Sequence, residues 1–137
     1  MSVVKELIKV SNRGGISFGD YTLSQKGKKD DFDFQGDKYK VRTHGEITKL
    51  EKNGMFIYES VPGTSVHGLK QTEDGVSFFV EGNKDAQITL ELAEDAVYLI
   101  CLDGKELGEM KTNLSGKLSF SIELEQAEEI EVLVKRV

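Results

Sequence analysis

An all-β fold, an antiparallel sandwich or barrel-like arrangement, is what this sequence predicts, and three observations predict it. Apolar and polar residues alternate with a period of two, the alternating runs are short, and glycine, asparagine or aspartate stands between them. A strand sends successive side chains to opposite faces, so such a run buries one face and wets the other. Many short strands at close spacing, with turn signals between them, read as a sandwich or barrel.

The elements follow in order along the chain. SNRGGISFGDYTL reads as strand, glycine-rich turn, strand. A polar loop is expected from Ser24 to about Asp31, and then FDFQGDKYKVRT forms a hairpin around Gly36-Asp37. LEKNGMFIYES places Asn53-Gly54 between two extended runs, the dipeptide that a type I′ turn prefers. Asp74-Gly75 and Asp103-Gly104 stand in equivalent places, each glycine supplying the positive φ that other residues resist.

Beyond these turns, GVSFFV sets Val76, Phe78 and Val80 on one face, and QITLEL does the same with Ile88, Leu90 and Leu92. KLSFSIEL is the clearest run, with Leu118, Phe120, Ile122 and Leu124 opposed to Lys117, Ser119, Ser121 and Glu123. Asn113 to Gly116 reads as the turn before it. Leu92 to Asp95 allows one helical turn, and so does Glu125 to Glu129, ahead of a last strand through Ile130, Val132 and Val134.

A chain of 137 residues suits one domain, or two small ones sharing a core. Folding at this size hides roughly two-thirds of the unfolded surface, so neither metal nor disulfide is required. The lone proline, in ESVPGTSVHG, marks the one break in composition. It divides the chain into an N-terminal β-rich half, 1–62, and an acidic C-terminal β-sandwich half, 63–137, closely packed. The first half carries 11 basic and 9 acidic residues and the second 7 and 15. That acidity argues against a nucleic-acid partner, because phosphates are repelled.

Two runs break the one-face rule. In VYLICL both Val97, Leu99, Cys101 and Tyr98, Ile100, Leu102 are apolar, and in VSFFV Phe79 points away from its apolar neighbours. A strand apolar on both sides is covered on both sides. Phe79, Tyr98, Ile100 and Leu102 are therefore candidate interface residues, and the partner is another protein or a second copy of the chain. A fragment beginning near Gly63 is expected to be insoluble or self-associating.

Reactive constellations are sparse. Cys101 has no second cysteine to pair with and sits in an apolar run among acidic charges, which fits a buried hydrophobe rather than a nucleophile. His44 and His67 are isolated in sequence, so no metal set is assigned. Asp30, Asp31 and Asp33 lack the glycine and distal glutamate of a calcium loop. No P-loop, dinucleotide fingerprint or nucleophile elbow occurs, so no cofactor and no catalytic residue is assigned. Tyr21, Tyr39 and Tyr58 are candidate glycan contacts, if they form an exposed aromatic row. The amino terminus, MSVVKELIKV, is too charged for a signal peptide, and no apolar stretch approaches membrane-spanning length. The chain reads as cytoplasmic, without a membrane partner.

NGMFIYESVPGT and EDGVSFFVEG…AQITLEL…KTNLSGKLSFSIEL resemble a family of small bacterial proteins often labelled endosialidase, over nearly the whole length. That resemblance implies a glycan hydrolase. Sialidases are similar to one another in having a propeller, an arginine triad and repeated S-x-D-x-G-x-T-W boxes. This chain departs from that pattern. Its arginines are Arg13, Arg42 and Arg136, widely separated, and TEDGVSF lacks one residue of a box but is complete as a turn. Propeller blades need about 40 residues each, too many for this length. The residues point to a non-catalytic β protein acting by self-assembly or partner binding, with a carbohydrate-binding accessory module and glycan hydrolysis as the alternatives.

Overall fold

The computed structural model describes residues 3–126 and 128–137, and their alternating runs form strands. In chain order these are β1 (Ile8–Val10), β2 (Ile16–Phe18), β3 (Gly27–Phe34), β4 (Asp37–Thr43), β5 (Thr48–Lys52), β6 (Met55–Val61), β7 (Ser65–Thr72), β8 (Gly75–Glu81), β9 (Ala86–Glu91), β10 (Val97–Leu102), β11 (Lys105–Lys111), β12 (Lys117–Ile122) and β13 (Ile130–Arg136). They build a seven-stranded sheet, β1-β2-β7-β8-β13-β10-β11, and a six-stranded sheet, β12-β9-β6-β5-β4-β3. The two antiparallel sheets pack face to face as a sandwich that does not close into a barrel. Among the described residues there is no helix, and none is long and apolar enough to cross a membrane. Leu92 to Asp95 is a bend and turn instead; the turn expected at Glu125 to Glu129 includes Ala127, which lies outside the described residues.

The inner faces supply one core. Val41, Leu50, Tyr58, Ile88, Leu90, Leu118, Phe120 and Ile122 meet Phe18, Val66, Phe78, Val80, Tyr98, Ile100, Val132 and Val134, all at most 4% exposed. The Tyr58 ring stands edge-on to Phe18 at 5.2 Å and to Phe78 at 5.6 Å, an arrangement that matches ring edges to ring faces across the layers. Each such large side chain contributes about 1.5–3 kcal/mol by leaving water. Around Tyr58 the buried hydroxyls are mutually satisfied. Thr64 Oγ1 bonds Tyr58 Oη and Ser60 Oγ, both at 2.7 Å, while Thr48 Oγ1 donates to the Thr64 carbonyl at 2.8 Å. These contacts tie the β6–β7 connection, which contains the cis Val61–Pro62 peptide, to the sandwich end.

Pro62 does not divide the chain into two units. β1 and β2 join the seven-stranded sheet through β7, whereas β9 and β12 complete the six-stranded sheet beside β6. Each sheet draws strands from both sides of Pro62, because a strand is placed by the neighbour it pairs with and not by its distance along the chain.

Several turns shift by a residue. Asn53-Gly54 (φ 52° and 81°) and Asp103-Gly104 (φ 51° and 80°) are the two-residue left-handed turns expected. The first hairpin turns at Gln35-Gly36 instead, and Asp37 begins β4. The β7–β8 turn is Glu73-Asp74, and Gly75 begins β8 with φ 148°. A Cβ at Gly75 would collide with the carbonyl oxygen of Val134 on β13, so the neighbouring strand demands this glycine. The charged run expected to be a loop is β3 itself, bulged between Lys29 and Phe32 along the sheet edge.

Candidate functional site

The outer face of the seven-stranded sheet carries the most chemistry. Register aligns Lys9 with Ser17, His67 with Phe79, and Phe79 with Glu131. Ser17 closes the row against β7 by accepting the Gly68 amide at 3.2 Å. Strand β7 bulges there, between His67 and Lys70. Gly68 adopts φ 67°, and a Cβ on it would press on Gly14 O at 3.3 Å and Arg13 Cβ at 3.4 Å. The glycine thus lets the β1–β2 turn fold down over the face.

That turn delivers Arg13. Its guanidinium lies 4.5 Å over the Phe79 ring and reaches Glu129 Oε1 at 3.3 Å. The ring attracts the cation through its negative π face, while the carboxylate fixes the guanidinium's direction. Lys9, Ser11, Arg13, Ser17, His67 and Glu129 line a recess of about 310 Å³. Within it Glu129 Oε2 is shielded from solvent and has no hydrogen-bond partner among the described residues.

Behind the recess, His67 Nε2 lies 2.9 Å from Glu81 Oε1, and the Glu81 side chain is 3% exposed. A carboxylate hidden from water needs donors to offset its lost hydration. Burial, then the charges of Glu81 and Asp20, push the Tyr21 phenol above its ordinary range, so it keeps its proton. In the tautomer that carries its proton on Nε2, His67 donates to Glu81 and presents Nδ1 as an acceptor. Among the described residues no hydrogen bond joins Ser17 Oγ to His67. The arrangement orients an imidazole and displays cations, which suits binding.

The three tyrosines do not form an exposed row. Tyr58 is 0% exposed, and burial holds its proton far above the usual phenol range. Tyr39 is buried beside Phe34, its proton held first by burial and then by the Asp37 charge. Tyr21 sits apart against Glu81. An inward position on an alternating strand accounts for Tyr39 and Tyr58, since the sandwich buries whichever face the neighbouring sheet covers.

The expected interface residues divide as well. Phe79 does face outward, beneath Arg13, but Tyr98 and Ile100 point into the core at 2% and 0% exposure, and Leu102 packs at its margin. The outward set on β10 is Val97, Leu99 and Cys101. Leu133 of β13, 44% exposed, lies between Cys101 and Ser77. An apolar run on both faces carries no mark of which parity is inward.

His44 lines a different recess with Tyr21, Glu46 and Lys84, so His44, His67 and Cys101 do not meet. No group of three or more histidines, cysteines or carboxylates among the described residues could hold a metal ion. Asp33 is spent on Lys38 at 2.8 Å, which raises the lysine's pKa through that hydrogen bond and then its charge. Asn113 Oδ1 accepts from the Ser115 amide and hydroxyl and from the Lys117 amide, forming the expected turn. Sequence reading passed over Arg13, Glu81 and Glu129. Only Glu81 left a local sign, as an acid closing the apolar run VSFFV.

Fold and recess together define an open antiparallel β-sandwich with a cation-lined hollow beside an apolar band on one sheet face. Comparison with protein-family models, with curated proteins and with solved structures finds no match to the chain.

Proposed function

We propose that the protein acts by non-covalent self-association, using the outer face of its seven-stranded sheet. The supporting observation is the apolar band of Val97, Leu99, Cys101 and Leu133, which continues towards Phe79 and which no strand among the described residues covers. Glu109 and Lys135 flank Leu99 across the sheet, so the band has a charged margin. A wet sheet face normally alternates polar side chains with the buried set, and a contiguous apolar departure marks a contact surface. Light scattering on the full chain across a concentration series tests the reading. The expected mass exceeds one chain, and Leu99→Lys with Leu133→Lys lowers it; a monomer at every concentration overturns the proposal.

A second reading, a hydroxyl-rich ligand such as a glycan in the Arg13 recess, is favoured by the cations Lys9 and Arg13 that line it, from which ligand hydroxyls would accept. A glycan array with Arg13→Ala and Glu129→Gln as controls tests it. Binding lost in both variants supports this reading, and no binding, or binding indifferent to both, removes it.

A further inference from the structure

An unpaired strand edge is a template for another chain, and proteins normally blunt such edges with charges, bulges or brevity. Three of the four edges here are blunted. β1 has three residues. β11 carries Lys105, Glu106, Glu109 and Lys111, and its register slips opposite Ile100 and Cys101. β3 carries Lys28, Lys29, Asp30, Asp31 and Asp33 and bulges before Phe32. β12 differs. Its residues match β9 one for one, from Lys117 against Glu91 to Ile122 against Ala86, and its single charge is Lys117.

The free groups of β12 can be assigned. The Asn113 amide donates to the Lys117 carbonyl at 3.1 Å, and the Lys117 amide donates to Asn113 Oδ1 at 3.0 Å. Lys117 therefore turns its main chain away from β9. With a period of two, Ser119 and Ser121 also present N–H and C=O outward, while Leu118, Phe120 and Ile122 bond to β9. No main-chain partner meets the outward pair among the described residues.

The segment is self-complementary. Read about Phe120, KLSFSIE sets Leu118 against Ile122, Ser119 against Ser121, and Lys117 against Glu123. Laid antiparallel on a second copy about a two-fold axis at Phe120, the outward groups of Ser119 meet those of Ser121. Because Asn113 already holds the Lys117 main chain, the ladder is confined to Ser119 and Ser121, and at both ends Lys117 meets the other copy's Glu123 through side chains alone. A slip by two residues one way sets Lys117 against Ser121 and loses the charge match; the other way it sets Lys117 against Glu125, which lies in the turn beyond the strand. We infer that β12 is a self-pairing edge, through which two copies of this chain join their six-stranded sheets into one, Lys117 of each against Glu123 of the other. This contact shares with the proposed function the premise of self-association but uses a different surface.

Charge reversal with rescue tests it, by sedimentation velocity on the full chain with circular dichroism to confirm folding. Lys117→Glu and Glu123→Lys each place like charges at both ends of a symmetric pair, so each weakens association by roughly tenfold. The double exchange Lys117→Glu with Glu123→Lys restores it. Ser119→Pro, which removes an outward N–H and no bond to β9, abolishes it. Single reversals without effect, or a double exchange that fails to restore association, overturn the edge contact. If Leu99→Lys and Leu133→Lys alone dissociate the protein, the edge contact falls and the apolar face stands; a monomeric wild type overturns both.

Discussion

The two sheets share a core yet differ on their outer faces. The six-stranded sheet shows water a mostly polar surface, with Lys49 beside Glu51 at 3.7 Å and Thr89 bonded to Ser119 at 2.7 Å. Its exposed apolar residues Met55 and Val61 stand at opposite ends of β6. The seven-stranded sheet turns out Val97, Leu99, Cys101 and Leu133 next to a hollow lined by Lys9, Arg13 and His67. Inner faces are alike because both must fill one interior at close packing. Outer faces are free to diverge, and the divergence separates a mostly polar wall from one that carries an apolar band.

The largest expected effect attacks the shared interior. A fragment of 63–137 keeps β7, β8, β13, β10 and β11 but only β9 and β12 of the opposite sheet. It is expected to expose the inner face and aggregate; a soluble, monomeric fragment with a native-like spectrum would separate the sheets into independent units. Next, Phe78→Ala and Leu50→Ala, one in each sheet, should cost about 3–5 and 2–5 kcal/mol in urea unfolding, comparable despite their different outer neighbours. A cost below about 1 kcal/mol for either would show that its sheet contributes little to the common interior.

A smaller effect comes from the hydroxyl cluster. Tyr58→Phe leaves Thr64 Oγ1 with one partner fewer and should cost about 1–3 kcal/mol. It also changes the alkaline response. The unfolded phenol releases its proton near 10.0, whereas burial holds the folded one well above that. The unfolded state thus loses protons first, so the contribution of Tyr58 is complete below pH 10 and is lost as pH rises past it. Tyr58→Phe should flatten that limb of a stability-versus-pH curve, and an unchanged limb would assign it to other groups. The smallest effect on stability belongs to the outer faces. Leu133→Lys and Ser121→Lys should each stay within about 0.5 kcal/mol of wild type, yet Leu133→Lys should reduce association at the apolar face.

Legibility in the sequence followed the range of the forces involved. KLSFSIEL was readable because alternation is local and one face is wet, and Asn53-Gly54 because a turn needs its own positive φ. Gly75 was misread as a turn residue because its requirement comes from Val134, on a strand far along the chain. The inward parity of VYLICL has no local mark, so the sequence offers Tyr98 and Ile100 as interface candidates although the opposing sheet covers them. The recess was less legible still. Arg13, His67, Glu81 and Glu129 come from separate segments, and only the sheet register and the folded β1–β2 turn assemble them.

Strand order carries a kinetic consequence. β13 lies between β8 and β10, although both precede it by many residues. Until it inserts, the seven-stranded sheet is two fragments whose facing edges lack partners, β1-β2-β7-β8 on one side and the β10–β11 hairpin on the other. The meander from β3 to β6 needs no such wait, since each strand pairs with its successor. Distant pairings form slowly because the intervening loop must first be closed. Refolding should therefore pass through a stage with one sheet largely built and the other cleft, and that cleft is where misassembly competes with the native keystone.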